Sequence, residues 1–374
     1  MSPPLKVCFH APFLWPLWSE NGVAFTGGAE TQQAMIARGL AAIGMDVTVV
    51  SCDYGQPRCV SVNGVRVLRT YRLSSGPPVL RFLHPRLTRT IGALRHADAD
   101  VHYVRGASIE AGESYEVARA SGKAFVFGAA HDHDAMPTMP GLRTLRDRLW
   151  YRRALRGARA VVAQTLVQQE LFRRHHGIET TLVRNLVEVP ERAVEPGAAS
   201  IVWLGTYKAS KRPHWFVELA KALPQFRFEM RGVVPIPPDT TAVWESIRHE
   251  AEGLPQLQVS GYLDHAGVTD LYRRAALFVH TSPAEGFPNT LLEAWAVGVP
   301  SISCVDPDGL VTRERLGEVV TDVPSLVRAV QGWMSQPERR LETGARARAY
   351  VARAHAPAPV VARLAEVFSR AAGR

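Results

Sequence analysis

The stretch Leu277-Phe-Val-His-Thr-Ser-Pro-Ala-Glu-Gly-Phe-Pro-Asn-Thr-Leu-Leu-Glu293 decides the fold of this chain. It begins with an apolar, strand-like run, continues through a loop that contains glycine and proline, and ends in a helical pattern that reaches Val297. A strand–loop–helix unit places its loop and the N-terminus of its helix at the carboxyl edge of a sheet, where α/β proteins bind ligands. The stretch therefore predicts an α/β fold with a ligand site among these residues.

Two carboxylates, Glu285 and Glu293, lie in this stretch eight positions apart. Backbone N–H groups at a helix N-terminus favour an anion, and carboxylates accept hydrogen bonds from hydroxyl groups. The combination suits a ligand that carries a phosphate beside several hydroxyls, such as a nucleotide-sugar. Glu285 has no cationic partner nearby in sequence, and Gly286 beside it allows a ligand to approach the backbone closely.

Glu293 has a second interpretation. Thr290-Leu-Leu-Glu293 fits a capping box, in which Thr290 caps the helix and Glu293 bonds back to the cap from position N3. The sequence leaves both roles open for Glu293, whereas Glu285 lies in a loop where no structural role of equal weight is evident.

Short apolar runs alternate with helical patterns along the first half of the chain. Gly27-Gly28-Ala-Glu30 opens a helix that is predicted over Thr31–Ile43, and Gly44 ends it. The predicted strands are Lys6–His10, Asp46–Ser51, Val65–Leu68, Val101–Val104, Ala124–Phe127 and Ala160–Ala163. This alternation indicates a mostly parallel, doubly wound sheet.

The pattern restarts after a stretch rich in Pro, Glu, Ala and Gly at 189–199, the best candidate for a linker. The second half has predicted strands at Ser200–Leu204, Phe226–Arg231, around Val259, Leu277–His280 and Pro300–Ser303, and predicted helices at Pro213–Ala222, His265–Ala275 and Thr290–Val297. We therefore expect two Rossmann-like doubly wound domains facing across a cleft, residues 1–190 and 191–355, with a C-terminal helix in 356–374 that returns to the first domain. A ligand is expected in the cleft.

The composition limits the kind of protein. The chain has 374 residues, 46% hydrophobic and 21% charged, as in a soluble globular protein of two domains. No apolar run approaches the roughly 20 residues that span a bilayer, and no signal peptide is evident. The four cysteines lack a CxxC spacing, so we expect reduced, mostly buried thiols in a cytoplasmic protein.

The net charge of +9 is concentrated in the first half of the chain. Residues 1–190 hold 23 Lys and Arg against 15 Asp and Glu, and the excess gathers in 81–95 and 143–159. The second run predicts a basic amphipathic helix, which either lies on an anionic membrane surface or is merely solvated. No basic–aromatic stacking motif accompanies the charge, so nucleic acid is not an expected partner.

Two common nucleotide-binding motifs are absent from the sequence. No GxGxxG fingerprint follows the first strand, and no Walker A sequence occurs. Their absence disfavours a dinucleotide-dependent redox enzyme and a P-loop NTPase, and no cofactor is predicted.

The chain resembles a known family, the group 1 (GT4-type) retaining glycosyltransferases of GT-B fold. Glu285 and Glu293 match the E-x7-E motif of this family, and the resemblance extends over most of the chain. The other segments that carry it are Gly27–Glu30, Trp203–Lys211, Ser282–Thr290 and Gly298–Ser303. The resemblance implies metal-independent transfer of a sugar from a UDP- or GDP-sugar, with retention at the anomeric carbon. It places the donor mainly on the second domain and the acceptor mainly on the first.

The resemblance also implies roles for single residues. Glu285 would contact the donor sugar near its reacting carbon, Glu293 the ribose hydroxyls, and Lys211 the diphosphate. Gly27 and Gly28 would let the first-domain loop approach the diphosphate. Backbone amides along Gly286, Phe287, Pro288, Asn289, Thr290 and Leu291 would complete the cradle. These roles agree with chemistry, because a lysine and a helix N-terminus stabilise a departing phosphate, and an oxocarbenium-like sugar favours nearby negative charge.

The chain departs from the family in two places. Many relatives carry Arg just after the glycine that ends the first strand of the second domain, whereas this chain has Thr206 there. Lys208 or Arg212 would then supply the missing cation. Many relatives also have a Gly-Gly pair where this chain has Asp306-Pro-Asp-Gly309, which affects the expected recognition of base and ribose.

A cluster of His and Asp, Ala130-His-Asp-His-Asp134, follows the strand Ala124–Phe127. By the resemblance, His131 aligns with a residue close to the acceptor hydroxyl or the donor sugar, and Asp132 lies beside it. The same residue types also suit a metal site, and a polar loop without a role is a third interpretation. The Trp- and Pro-rich loop at 12–18 either lines an acceptor site or is packed.

We therefore expect a cytoplasmic, retaining glycosyltransferase, peripheral at the inner membrane face, with Glu285, His131 and Lys211 as catalytic residues. Its acceptor would be a saccharide or a lipid-linked precursor of a cell-surface glycan or glycolipid. One alternative is another GT-B enzyme, such as a nucleotide-sugar epimerase or hydrolase. A second alternative is a non-catalytic basic protein that binds anionic lipid.

Overall fold

The computed structural model describes residues 3–19, 27–77, 80–193, 195, 199–234 and 241–374. The chain divides into two compact units: residues 1–186 together with 357–374, and residues 187–356. Each unit has a largely parallel sheet with helices, so the predicted α/β class is confirmed. The predicted strands and helices all occur, and their ends agree within about three residues.

The first unit contains an eight-stranded sheet in the order β3-β4-β2-β1-β5-β6-β7-β8. Its strands are β1 Lys6–His10, β2 Asp46–Ser51, β3 Cys59–Val62, β4 Val65–Arg69, β5 Val101–Arg105, β6 Ala124–Gly128, β7 Ala160–Ala163 and β8 Thr181–Leu182. β3 pairs with β4 antiparallel, and the other pairs are parallel. The hairpin turns at Asn63-Gly64, where both residues have positive φ (51° and 78°), as a tight hairpin turn requires.

Six α-helices of the first unit are α1 Gly28–Ala42, α2 Thr88–Ala97, α3 Ile109–Ala120, α4 Leu145–Gly157, α5 Leu166–His176 and, from the end of the chain, α13 Pro357–Ala371. α13 contributes Phe368 to the core of this unit. The Phe368 ring meets those of Phe9 and Tyr103 edge to face, with centroids 6.3 Å and 5.4 Å away. Such aromatic pairs add to the stabilisation from buried area.

The second unit contains a six-stranded sheet in the order β11-β10-β9-β12-β13-β14, with parallel pairing. Its strands are β9 Ser200–Thr206, β10 Arg227–Val233, β11 Leu257–Ser260, β12 Ala275–His280, β13 Ser301–Ser303 and β14 Gly317–Val319. Its α-helices are α6 Pro213–Ala222, α7 Thr241–Ala251, α8 His265–Arg273, α9 Asn289–Val297, α10 Leu310–Arg313, α11 Val323–Met334 and α12 Pro337–Ala354.

The position of α9 is fixed by a close approach to α12. A Cβ atom on Gly344 of α12 would lie 1.9 Å from the carbonyl oxygen of Gly298, the residue that ends α9. Only glycine fits at such a distance. Gly298 itself has a φ of 95°, the left-handed conformation of a helix C-terminus. The two glycines therefore let α12 hold the C-terminal end of the helix that carries Glu293.

No helix among the described residues has the length and hydropathy that crossing a membrane requires. The four cysteines are free thiols, and Cys8 and Cys52 are buried while Cys304 is half-buried. Cys59 is exposed, which differs from the expected burial because it lies on the outermost strand, β3.

Candidate functional site

Lys211 and Glu285 meet at the carboxyl edge of the second unit's sheet. Lys211 ends a short 3-10 helix, 209–211, after β9, and Glu285 lies in the loop between β12 and α9. The Lys211 ammonium group donates a hydrogen bond to Glu285 Oε1. No cation lies near Glu285 along the chain, and the fold brings one from the segment that follows the adjacent strand, β9.

The charge of Glu285 is maintained although its side chain is only 15% exposed. Burial by itself raises the pKa of this carboxyl. Lys211, His280 and Ser282 lower the pKa by more than burial raises it, so the pKa lies below its ordinary value. The carboxylate is therefore ionised at neutral pH, and negative charge is available at this edge of the sheet.

His280, the last residue of β12, was not among the predicted site residues. Its Nε2 atom lies 3.8 Å from Glu285 Oε1, and its Nδ1 atom lies 3.3 Å from the Ser303 hydroxyl of β13. Burial lowers the pKa of His280 to about 4, so the ring is neutral at neutral pH. A histidine at the end of an apolar strand, directly before the motif, was the sequence signal that pointed to it.

Thr281 fixes the backbone of Lys211. The Thr281 hydroxyl donates to the Lys211 carbonyl at 2.6 Å and accepts from the Trp203 indole N–H at 2.9 Å. All three residues belong to the second unit, and Trp203 and Thr281 are buried. This chain of hydrogen bonds joins β9, β12 and the segment that carries Lys211, so the base of the lysine side chain is held rigidly.

The start of α9 corrects the capping-box interpretation. The helix begins at Asn289, its N-cap is Pro288, and no side-chain capping bond is present. Glu293 is thus the fifth residue of the helix and Thr290 the second, so the Thr290–Glu293 box does not form. The Thr290 carbonyl instead accepts a hydrogen bond from the Tyr272 hydroxyl at 3.1 Å.

Residues 286–291, the predicted cradle for the donor, have mostly buried side chains, so a ligand would meet mainly their backbone. Gly286, Phe287, Pro288 and Leu291 are buried, and Asn289 and Thr290 are half-buried. The Phe287 and Leu291 side chains belong to the core of the second unit. Pro288 has no N–H group, so it shapes the loop but donates no hydrogen bond. The Leu291 N–H, one of the predicted cradle amides, donates to the Pro288 carbonyl at 3.2 Å. The N-terminus of a helix nevertheless favours an anion.

Glu293 lines a cavity of about 200 Å³ in the second unit. Its lining residues are Val187, Glu188, Val189, Pro190, His265, Val268, Thr269, Tyr272, Glu293 and Val297. Among the residues that the structure describes, Glu293 has no hydrogen-bond or ion-pair partner. Burial raises its pKa to about 7. A half-buried carboxyl without a partner is costly in the free protein, so it is a candidate ligand contact.

The two departures from the family have defined conformations. Thr206 ends β9, and Lys208 is the exposed N-cap of the 3-10 helix that reaches Lys211. The Arg212 guanidinium lies over the Trp215 ring, 4.6 Å from its centroid. In the variant loop, Asp306 accepts hydrogen bonds from the backbone N–H of Val311 at 2.7 Å and from the Thr312 hydroxyl at 2.6 Å, so Asp306 holds the first turn of α10, whose N-cap is Gly309.

In the first unit, His131 follows β6 at the carboxyl edge of the sheet. It caps a 3-10 helix, 132–135, in which its side chain accepts from a backbone N–H and Asp134 bonds back to the cap. Asp132 Oδ1 accepts a hydrogen bond from Gln168 Nε2 at 3.0 Å, and burial raises the pKa of Asp132. His131 and His133 stack with ring centroids 4.1 Å apart.

The metal interpretation of this cluster has no geometric support. No group of three or more His, Cys, Asp or Glu side chains in the described part of the chain is arranged to hold a metal ion. The Asp134 carboxylate accepts three backbone N–H groups, so its oxygens are already occupied.

The glycine loop and the Trp-rich loop are only partly within the described residues. Gly27 is the N-cap of α1 and Gly28 its first residue. Trp15 and Trp18 pack against the core of the first unit, which favours the packed-loop interpretation for 12–18. The remainder of this loop, residues 20–26, lies outside the described residues.

Exposed leucines lie beside arginines on two neighbouring segments of the first unit. The four leucines are 54–71% exposed, and residues 80–97 contain no acidic residue. The Arg146 guanidinium of α4 lies 3.5 Å from the centroid of the Phe82 ring, which joins the two segments. We call the following set the leucine–arginine surface: Leu80, Arg81, Leu83, Arg89, Leu145, Arg146, Leu149 and Arg152.

Two sequence families match the chain. Residues 27–186 match the family described as Glycosyl transferase 4-like domain, and residues 198–336 match Glycosyl transferases group 1. Together the two matches cover most of the chain. No curated protein matches the sequence.

Solved structures with the same fold cover nearly the whole chain. Sucrose-phosphate synthase from Thermosynechococcus elongatus is 17% identical, with a TM-score of 0.78 over 99% of both chains. Anabaena HepE in complex with UDP-glucose is 15% identical, with a TM-score of 0.77 over 98% of this chain and 100% of the other. At these identities the likeness establishes a shared fold of two Rossmann-like domains.

Proposed function

Because this chain belongs to the group 1 (GT4-type) glycosyltransferases of GT-B fold, we propose that it transfers a sugar from a UDP- or GDP-sugar to a hydroxyl acceptor with retention at the anomeric carbon. The bond between the anomeric carbon and the leaving phosphate oxygen breaks. A bond from the acceptor oxygen to the same face of that carbon forms, and the acceptor proton passes to the leaving phosphate. No metal is required.

The Lys211–Glu285 pair beside the start of α9 carries this proposal. The leaving nucleoside diphosphate gains negative charge, and a lysine together with helix N–H groups stabilises it. The sugar gains positive character, which the ionised Glu285 stabilises. In the free protein the Lys211 ammonium group is paired with Glu285. When the donor binds, its diphosphate replaces Glu285 as the partner of Lys211. Lys208 is near enough in sequence to supplement Lys211 where relatives have the arginine that Thr206 replaces.

Glu293 is the contact for the ribose. Its carboxyl has no partner in the described residues and faces a cavity. Two ribose hydroxyls would satisfy it and offset the cost of burying it. His265 and Thr269 also line the cavity, and their side chains offer further polar groups to the ribose.

The first unit supplies the acceptor side of the reaction. His131 and Asp132 lie at the carboxyl edge of its sheet, where α/β units bind ligands. Gly27 and Gly28 at the start of α1 allow close approach of the diphosphate. The acceptor is a saccharide or a lipid-linked saccharide, a precursor of a cell-surface glycan or glycolipid.

The leucine–arginine surface supports the proposal that the enzyme binds to the inner, cytoplasmic face of a membrane. Arginines attract anionic headgroups, and exposed leucines gain free energy on insertion among acyl chains. An enzyme held there meets lipid-linked acceptors directly. If this surface were merely solvated, its arginines would not need exposed leucines beside them. The four exposed leucines therefore favour lipid contact.

A donor panel with mass detection tests the proposal. The protein is incubated with UDP- and GDP-sugars, each with and without saccharide or lipid-linked acceptors, and with excess chelator. UDP-glucose is the first donor, since the fold relative HepE is solved with it. We expect nucleotide release that depends on the acceptor, a product that keeps the donor's anomeric configuration by NMR, and no effect of the chelator.

The same panel separates the alternatives. Nucleotide release without acceptor indicates a hydrolase, and a donor converted without release indicates an epimerase. An inverted product contradicts the retaining mechanism. Failure of every UDP- and GDP-sugar to raise the melting temperature favours the non-catalytic lipid-binding protein, because true binding at saturation stabilises a fold by a few kcal/mol.

A further inference from the structure

One buried carboxylate, that of Asp134, fastens the ends of two neighbouring strands in the first unit. It accepts hydrogen bonds from the backbone N–H groups of Ala107 at 3.0 Å, Ala130 at 2.7 Å and His131 at 3.0 Å. Ala107 follows β5, and the other two follow β6. The Asp134 side chain is buried, and hydrogen bonds to a carboxylate are among the strong ones. The loop that carries His131 is thus held in one conformation.

This conformation also fixes the proton on the His131 ring. The backbone N–H of His133 donates to His131 Nδ1 at 3.2 Å. A ring nitrogen that accepts an N–H bond carries no proton, so the neutral imidazole has its proton on Nε2. The Nε2 atom of His131 is therefore a hydrogen-bond donor.

The loop is held from two further sides. The Gln164 side chain donates to the Ala130 carbonyl at 2.6 Å and accepts from Arg105 at 3.1 Å. The Tyr151 hydroxyl of α4 donates to the Asp134 carbonyl at 2.7 Å. These contacts oppose any rotation of the His131–Asp134 segment.

We propose that Asp134 is a positioning residue, which holds the His131 loop so that the imidazole presents Nε2–H to an oxygen of the sugar donor or the acceptor. The inference rests on the proposed function. His131 then acts as a hydrogen-bond donor and not as a general base. This agrees with passage of the acceptor proton to the leaving phosphate.

An asparagine at position 134 cannot reproduce these contacts. One Asp134 oxygen accepts from Ala107, and the other accepts from both Ala130 and His131. The amide of Asp134→Asn has one oxygen and one NH₂ group, so on one side a donor must face a donor. The loop is released on that side, and His131 loses its orientation.

The ring tautomer can be measured without substrate, by ¹⁵N NMR of protein labelled on histidine, with His131→Gln identifying the signals. We expect wild type to have a protonated Nε2 and an unprotonated Nδ1. Two variants at position 133 form a matched pair. His133→Ala keeps the backbone N–H and should keep the tautomer, whereas His133→Pro removes that N–H and should give a mixture. Asp134→Asn should also give a mixture.

Activity provides the second readout. We expect Asp134→Asn to lower kcat by about 10²-fold, since misplacing a catalytic group by about 1 Å has that effect, and to change KM for the donor by less than about threefold. His131→Gln, whose amide N–H can replace Nε2–H, should retain at least about ten times the activity of His131→Ala, because only the donor is needed.

Either of two results overturns the inference: a proton on Nδ1 in wild type, or an unchanged tautomer in Asp134→Asn. If Asp134→Asn does not fold, the wild-type tautomer and the His133 pair still test the ring orientation on which the inference depends. If no transfer is found with any donor, the proposed function fails, while the tautomer measurement tests the positioning claim independently.

Discussion

The Lys211 ammonium group contacts the Glu285 carboxylate across 74 positions of sequence. This contact joins the segment after β9 to the loop after β12, and it gives the second unit a cation and an anion side by side at the start of α9. A donor that separates them would find each charge already in place, so little reorganisation is needed at the moment of reaction.

Loss of either charge should abolish most of the transfer. We expect Lys211→Ala and Glu285→Ala each to reduce kcat/KM for the donor by at least about 10²-fold, as removal of a single stabilising group commonly does. Initial rates with a matched donor measure this. Lys208→Ala is the matched control, since Lys208 is exposed and only supplementary, and should lose about tenfold or less. Rates within threefold of wild type in both site variants would show that the pair is merely structural.

Glu293 should make the free protein less stable as the pH rises. Its pKa is raised to about 7 from an ordinary value of 4.5. The folded state therefore binds more protons than the unfolded state between these values, and stability from this group is full below pH 4.5 and lost as the pH rises through 7. The Glu293→Gln variant has no group that ionises here, so its stability does not fall in this way as the pH rises. At pH 8 we therefore expect the free energy of unfolding of the variant to exceed that of wild type by about 1–2 kcal/mol. Urea unfolding at pH 5 and pH 8 measures the difference.

The same substitution should weaken donor binding. We expect Glu293→Gln to raise the donor KM at pH 8 by about tenfold or more, because the charged acceptor for the ribose hydroxyls is lost. In wild type, donor KM should rise as the pH falls below 7, and this dependence should vanish in the variant. A variant that is no more stable at pH 8 and binds donor normally would remove Glu293 from the site.

The leucine–arginine surface should bind anionic vesicles. We expect co-sedimentation with vesicles containing phosphatidylglycerol, weaker binding in 0.5 M salt, and no binding to phosphatidylcholine alone, since salt screens exposed charges. Leu83→Ser combined with Leu149→Ser should weaken binding at least tenfold, because burying each leucine contributes about 1.5–3 kcal/mol. Leu341→Ser, at an equally exposed leucine (59%) of the second unit, is the control. Binding that ignores both salt and these leucines contradicts the assignment.

Position 344, where α12 contacts the end of α9, should tolerate no residue larger than glycine. We expect Gly344→Ala to destabilise the protein by about 2 kcal/mol or more, because its Cβ would overlap the Gly298 carbonyl oxygen. Gly332→Ala in α11 is the matched control, because nothing lies within 4 Å of the added Cβ. It should be neutral or stabilise by up to about 1 kcal/mol, the helix preference of alanine over glycine. Thermal unfolding of both variants measures the contrast.

Much of the fold could be predicted because its strands are buried on both faces. All six residues of β12 are buried, so the strand is a continuous apolar run in sequence. Helix α3 was not predicted, and its packing explains why. The buried face of α3 contains Gly112, Glu113 and Ser114, since the Trp150 side chain occupies the space where a Cβ of residue 112 would lie. A buried face of small and polar residues leaves no apolar periodicity to detect.

The candidate site was only partly predictable. Lys211 and Glu285 could be named from their motifs, but their contact depends on the pairing of β9 with β12, which local sequence does not contain. Thr281 was missed because its role is to hold the Lys211 backbone. The capping box failed for a local reason: Pro288, with φ of −66°, already serves as the N-cap, so α9 starts one residue before the Thr290 that the box needs.

The return of α13 to the first unit determines the order in which the chain can mature on the ribosome. Phe368 completes a core whose other aromatic members, Phe9 and Tyr103, are synthesised long before it. Residues 187–356 form one contiguous unit, so they can finish folding as they emerge. The first unit must wait with apolar surface uncovered until 357–374 have been made, which reverses the usual N-terminal-first sequence. Released chains that end at residue 356 should therefore depend on chaperones more than released chains that end at residue 374.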